Sequence, residues 1–263
     1  MITGRPARAI AVSVVALASA SAGAGAPARR SPVALTAAPA RVIFTGSGRA
    51  SVRVTNSGTK AVAVDASRAG FALSLRGRPR IVRARRPRSA APWLKLQPAH
   101  FTLPAHTAAT LLVSSTVPRK AEPGDHDALV LLTTRPSMGA RVAVRVRLGV
   151  LVVVRAPGTV VRRLQLQGLR AIQRGGRRLL GLGVVNHGNV TETLSRVRVI
   201  VAQTGSRRSS DTLVARTRDV RPHTRASVEF RLRTRLRGAA TARVVIPGAG
   251  GRKAIRRTYR LRL

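Results

Sequence analysis

Cysteine is absent from all 263 residues. That removes disulfides, thiolate nucleophiles, iron–sulfur ligation and cysteine-based zinc sites together. Carboxylates are almost as scarce: eight Asp+Glu stand against 49 Lys+Arg, for a formal net charge of +41. The eight are Asp65, Glu122, Asp125, Asp127, Glu192, Asp211, Asp219 and Glu229. So few acids leave little material for metal sites or acid–base pairs, and a non-enzymatic protein with no cofactor and no metal is expected. Aromatics make up 2%, with Trp93 the only tryptophan, so a core must come from Val, Leu, Ala and Ile. There is no Gly-x-Ser-x-Gly elbow, no phosphate-binding Gly-rich loop ending in Lys-Ser/Thr and no His-Glu-x-x-His. After the N-terminal stretch, the most apolar run spans residues 148–154 and stops at Arg155. It is far short of the roughly 20 residues a membrane helix needs. What is present is 44% apolar, which separates the chain from a disordered basic tail.

The N-terminus reads as an address. Arg5 and Arg8 precede an apolar run over residues 9–20, and small residues follow at Ala20, Ser21, Ala22, Gly23 and Ala24. A positive start, a short apolar middle and a small-x-small end form the pattern of a secretory signal peptide. Residues 1–24 are expected to be that signal, cut near Ala22 or Ala24, with 25–30 as a linker. The protein is then secreted or held at the cell envelope.

The rest of the chain alternates with a period of two. Val142, Val144, Val146 and Leu148 interleave with Arg141, Ala143, Arg145 and Arg147. Val197, Val199 and Val201 interleave with Arg196 and Arg198, and Val228, Phe230 and Leu232 with Glu229, Arg231 and Arg233. Such alternation puts one set inward and the other outward on half-buried strands. Short strands broken by Gly, Pro, Asn and Ser turns predict sandwiches. The chain also resembles itself. Residues 50–58 and 180–188 are strands ending in Asn-x-Gly; Pro104-Ala105-His106-Thr107 and Pro222-His223-Thr224 each precede a further strand. The expected architecture is all-β, with two tandem immunoglobulin-like β-sandwich domains at residues 31–156 and 157–263.

Within the first domain, Trp93-Leu94-Lys95-Leu96-Gln97-Pro98 is followed by Phe101-Thr102-Leu103-Pro104. Next come a strand through Leu111 and Val113, then Val117-Pro118 and Glu122-Pro123-Gly124-Asp125-His126. This string, over residues 90–155, resembles bacterial immunoglobulin-like domains of the major-sperm-protein and pilus-chaperone (PapD) type. It is most similar to the peptidoglycan-binding domain of WxL-type surface proteins, with His126 where that family usually has an aromatic. The second domain resembles the partner domain of those proteins, with Asn186-x-Gly188-Asn189 as its turn. The resemblance implies a binding function at the cell envelope.

The charge fits that reading. The first domain carries 20 Lys+Arg against 4 acids and the second 25 against 4. A basic surface attracts polyanions, and an exported protein meets anionic cell-wall polymer, peptidoglycan and other surface proteins. The candidate polyanion contacts are Arg83, Arg85, Arg86, Arg88, Arg141, Arg145, Arg147, Arg196, Arg198, Arg231 and Arg233. Alternatively, the arginines only replace lysine and keep the protein in solution. The export signal and the shortage of stacking aromatics argue against nucleic acid. A second functional reading is a periplasmic-chaperone-like protein for pilus or surface subunits. Its strand-addition candidates are Val142, Val144, Val146, Leu148 and Val150, on the strand whose even positions stay apolar to Val154. Asp125-His126-Asp127 diverges along a strand and suggests a turn, not a metal site. Trp93 suggests a core plug between the sheets.

Overall fold

The computed structural model of the chain describes residues 34–135, 145–204, 210–232, 236–248 and 253–263. The described residues form two compact units: those up to Ala72 with Ile81–Gly158, and Leu73–Arg80 with Thr159–Leu263. Each is an immunoglobulin-like β-sandwich, and no α-helix occurs among the described residues.

The first sandwich begins with β1 (Leu35–Ala38), β2 (Arg41–Thr45), β3 (Gly48–Asn56), β4 (Val62–Leu73) and β5 (Pro79–Val82). A 3₁₀ turn at Ala91–Trp93 leads into β6 (Leu94–Gln97), β7 (His100–Leu103), β8 (Ala108–Ser115), β9 (Gly124–Thr134) and β10 (Arg147–Ala156). One sheet has the order β1-β3-β8-β6; the other runs β2-β10-β9-β4-β5, with β7 also on β4. The alternation read from the sequence sets the core. Val52, Val54, Leu111 and Val113 point in from the first sheet, and Val64, Val130, Leu132, Val150 and Val152 from the second.

β1 and β2 are one stretch of chain shared between the two sheets. β1 pairs with β3, and β2 pairs with β10 in parallel, with Pro39 and Ala40 between them. Proline has no N–H to give a ladder, so it ends the first pairing and frees the chain to cross.

The second sandwich holds β11 (Leu164–Arg174), β12 (Arg177–Asn186), β13 (Glu192–Leu194), β14 (Arg198–Gln203) and β15 (Ser210–Val214). It continues with β16 (Arg218–Val220), β17 (Arg225–Arg231), β18 (Ala239–Ile246) and β19 (Ile255–Arg262). Its sheets are β11-β12-β17 and β15-β14-β18-β19, with β13 and β16 as a short pair. β11 turns into β12 through Gly175 and Gly176, at φ 52° and 69°. A two-residue hairpin with both φ values positive favours glycine at both places. Phe230 sits at the centre of this core among Leu180, Leu182, Val199 and Val244. Its loss to alanine would cost about 3–5 kcal/mol.

The internal repeat has a structural counterpart. The N–H of Asn56 donates to Thr107 O at 2.9 Å and that of Asn186 to Thr224 O at 3.0 Å. Thr107 Oγ1 donates to Pro104 O at 2.9 Å and Thr224 Oγ1 to Arg221 O at 2.8 Å. The histidine before each threonine has positive φ, 58° at His106 and 53° at His223. The same corner is thus built once in each sandwich.

Candidate functional site

β10 is antiparallel to β9 along its whole length, from Arg147 opposite Thr133 to Ala156 opposite Gly124. Its other edge is covered by β2 only from Leu151 to Arg155. Backbone direction follows from three bonds. Leu151 N–H donates to Ala40 O at 3.0 Å and Gly46 N–H to Arg155 O at 2.8 Å, so odd positions face β2. Thr134 N–H donates to Val146 O at 2.9 Å, so even positions face β9. Arg147 and Gly149 therefore point both backbone groups toward an edge that no strand among the described residues covers. An open edge of this kind is a template for another chain.

The side chains alternate across the same stretch. Leu148 is half-buried against the core, while Val150, Val152 and Val154 lie within it. On the opposite face Arg147 and Gly149 are exposed, Leu151 is half-buried and Val153 is 1% exposed. Of the strand-addition candidates, Val146 and Leu148 are half-buried beside the open edge. Val150 is 1% exposed, and its side chain belongs to this protein's own core. Val142 and Val144 lie outside the described residues.

The arginine candidates fall on separate elements of the two sandwiches. Arg83, Arg85 and Arg86 are exposed between β5 and the 3₁₀ turn. Arg88, in the same stretch, is half-buried and paired with Glu122 at 2.6 Å. Arg145 and Arg147 flank the start of β10, exposed. Arg196, Arg198 and Arg231 are also exposed, but Arg198 lies on β14 and Arg231 on β17. Val199 and Phe230, the next residues, both point into the shared core, so the two arginines face outward from opposite sheets. Arg141 and Arg233 lie outside the described residues.

Asp125, His126 and Asp127 diverge along β9. Asp125 is buried and takes two bonds from Arg155, at 2.7 and 3.2 Å. His126 turns to the other face, its Nε2 2.8 Å from Glu122 O. Burial disfavours the imidazolium and pushes the His126 pKa down, Arg88 adding to the effect, although the Glu122 carbonyl opposes it. Trp93 is half-buried at the margin of the core, at the end of the 3₁₀ turn, where a plug between the sheets was expected. No group of three or more metal-ligating side chains occurs among the described residues.

One cluster escaped the sequence. Asp65 on β4 accepts from Arg135 Nε at 2.8 Å and Nη2 at 2.6 Å, and lies 2.6 Å from His100 Nδ1 on β7. The three line a shallow pocket with Phe101. The Arg135 and His100 hydrogen bonds hold the Asp65 carboxyl well below the usual carboxylate range. The partners come from three separate stretches of chain, and no spacing in the sequence announces them.

No protein-family model matches the chain, and no curated protein does. Solved structures do. A class 5 fimbriae chaperone, CfaA, aligns at a TM-score of 0.50 with 11% identity, over 86% of this chain and 98% of its own. The fold is one that this fimbriae chaperone shares. A chain from the chaperone–tip adhesin complex of CFA/I fimbriae biogenesis gives the same TM-score, 0.50, at 12% identity and the same coverage. The PapD-like fold expected for the first domain thus extends over both sandwiches.

This likeness overturns the expected wall-binding function. The similar chains are a fimbriae chaperone and a chain of a chaperone–tip adhesin complex, and of the arginines meant to grip wall polymer or peptidoglycan, Arg198 and Arg231 face outward from opposite sheets. The more specific likeness to a WxL-type peptidoglycan-binding domain finds no match among these neighbours. The partners expected from it, anionic wall polymer and peptidoglycan, fall with it.

Proposed function

We propose that the chain is a chaperone-like protein of the cell envelope that holds a pilus or surface subunit by strand addition. The carrying observation is the open β10 edge at Arg147 and Gly149, on a fold shared with a fimbriae chaperone. A partner strand laid along this edge would pair its backbone with the free N–H and C=O groups. It would continue the line that β2 occupies from residue 151 onward. Backbone pairing supplies affinity, and the half-buried Val146 and Leu148 beside the edge supply apolar contact that selects among partners. The role is one of binding, without catalysis.

The test is co-expression with the product of an adjacent subunit-type gene, followed by hydrogen–deuterium exchange. In the complex, the amides of Arg147 and Gly149 should exchange more slowly than in the free protein. Substitution Gly149→Pro removes one outward N–H and no bond to β9, so it should weaken the complex while the fold survives. A complex whose formation leaves both amides unchanged would sink the proposal, as would the lack of any complex.

A further inference from the structure

The second sandwich carries a surface of its own. In the sheet β15-β14-β18-β19, Val199, Val201, Leu213, Ala242 and Val244 point into the core, so the alternate residues form the outward face. The register fixes their neighbours. Thr212, Ile200, Arg243 and Thr258 form one row across the four strands. Val214, Arg198, Val245 and Arg256 form the next, and Ser210, Ala202, Thr241 and Arg260 flank the first on its other side. Arg262 follows, opposite Ala239.

Five arginines thus share one face: Arg198, Arg243, Arg256, Arg260 and Arg262, all exposed. None of them is in an ion pair among the described residues. The sheet's one acid, Asp211, lies opposite Val201 and so belongs to the inward set. Arg243 is a diagonal neighbour of both Arg256 and Arg260 on the adjoining strand, a spacing of about 7–8 Å. Like charges this close repel when no counter-charge stands between them. Elsewhere in this sandwich arginines do find acids: Arg162 pairs with Glu192 and Arg174 with Glu229. The unneutralised face is therefore complementary to a flat array of negative charge.

The shape selects the kind of array. The face is four strands wide, about 15 Å across, and presents its guanidinium groups side by side on a sheet surface. Val214 and Ile200 lie in the same surface and are 62% and 39% exposed. Apolar side chains among cations suit the boundary between lipid headgroups and acyl chains. Guanidinium forks bind phosphate oxygens in pairs. We infer that this face docks the second sandwich on an anionic phospholipid surface, through Arg198, Arg243, Arg256, Arg260 and Arg262. The inference is independent of the β10 edge and of any subunit held there.

Sedimentation of the purified protein with vesicles tests it. Vesicles of equimolar phosphatidylglycerol and phosphatidylcholine should pellet the protein at about 0.05 M salt and release it at about 0.5 M, where screening is strong. Vesicles of phosphatidylcholine alone should not pellet it. The triple variant Arg243→Glu, Arg256→Glu, Arg260→Glu should raise the lipid concentration for half-binding at least about tenfold. A charge-matched control, Arg49→Glu, Arg53→Glu, Lys95→Glu, reverses exposed cations on the β1-β3-β8-β6 sheet of the other sandwich. It should stay within about twofold of the parent if the docking is local. An unaltered melting temperature in both variants confirms that they fold. Equal losses in the two would show attraction by overall charge and overturn the inference, as would no pelleting on anionic vesicles. Binding to polyglutamate without binding to vesicles would assign the face to an acidic protein and overturn it too.

Discussion

The imidazole of His126 lies against the indole of Trp93, ring centroids 4.4 Å apart and planes tilted by 45°. The Nδ1 atom of His126 is buried with no hydrogen-bond partner among the described residues, while Nε2 meets the Glu122 carbonyl. Proton uptake would place a charge between the indole and the core, with Arg88 nearby.

Acid should therefore loosen the first sandwich. The folded-state pKa of His126 is lowered, chiefly by burial, whereas the unfolded chain takes up the proton near the ordinary 6.5. The unfolded state binds more protons in this window. Stability is full above about pH 6.5 and declines as pH falls below it. Trp93, the only tryptophan, reports the change directly. The urea midpoint from its fluorescence should be lower at about pH 5 than at about pH 7.5, and His126→Phe should flatten the difference. An equally steep dependence in the phenylalanine variant would refute the assignment.

The twin corners predict twin losses. Asn56 Nδ2 donates to the carbonyls of Lys60, Leu103 and Pro104, and its Oδ1 accepts from Gly58 N–H at 3.0 Å. Asn186 Nδ2 donates to Val190 O and Val220 O, and its Oδ1 accepts from Gly188 N–H at 2.8 Å. Both side chains are fully buried. Alanine at either site strands buried backbone groups and should cost about 2–4 kcal/mol. Calorimetric unfolding of each single variant measures this; an unchanged midpoint would show that water replaces the amide.

Aspartate at two valines, one within β10 and one just before it, should give opposite failures. Val150 is within the core, so Val150→Asp buries a carboxylate and should cost about 4 kcal/mol or more. Val146 is half-buried beside the open edge; Val146→Asp should keep the fold and lose the subunit. Circular dichroism and co-purification separate the two outcomes. Retention of the subunit by a folded Val146→Asp protein would count against partner contact there.

The Asp65 cluster predicts a titration. With Arg135 in place the carboxyl remains ionised well into acid, because two charge-assisted bonds hold it. In Arg135→Ala the carboxyl should return toward the usual range, as read by carbon NMR of the Asp65 side chain. The stabilising contribution is present above the unfolded value near 3.9 and is lost as pH falls below it. Salt should weaken it, since the pair is largely exposed.

Period-two alternation made most of the sandwich legible. Valines on alternate positions foretold the inward faces of β10, β14 and β17, and Asn-x-Gly marked both corners. The alternation also pointed to the strand that carries the open edge. The edge itself was not legible, because it depends on where β2 stops, and β2 is more than a hundred residues away in the chain. The charge misled for a related reason. Period two shows that Arg198 and Arg231 point outward but not that they leave the sandwich in opposite directions. Asp65, His100 and Arg135 meet only after three stretches of chain have folded together.

The crossing of β1 and β2 at Pro39 has a mechanical consequence. β2 and β10 run parallel, with residues 41–45 beside 151–155. Tension that enters before β2 and leaves after β10 draws the two strands past each other along their length. The ladder is then loaded in shear, and its bonds must yield together rather than one after another. Pulled in that direction, the first sandwich should act as a latch, rupturing at a higher force than when pulled across the sheet. Single-molecule stretching along the two axes measures the contrast; equal rupture forces would remove β2 from that role.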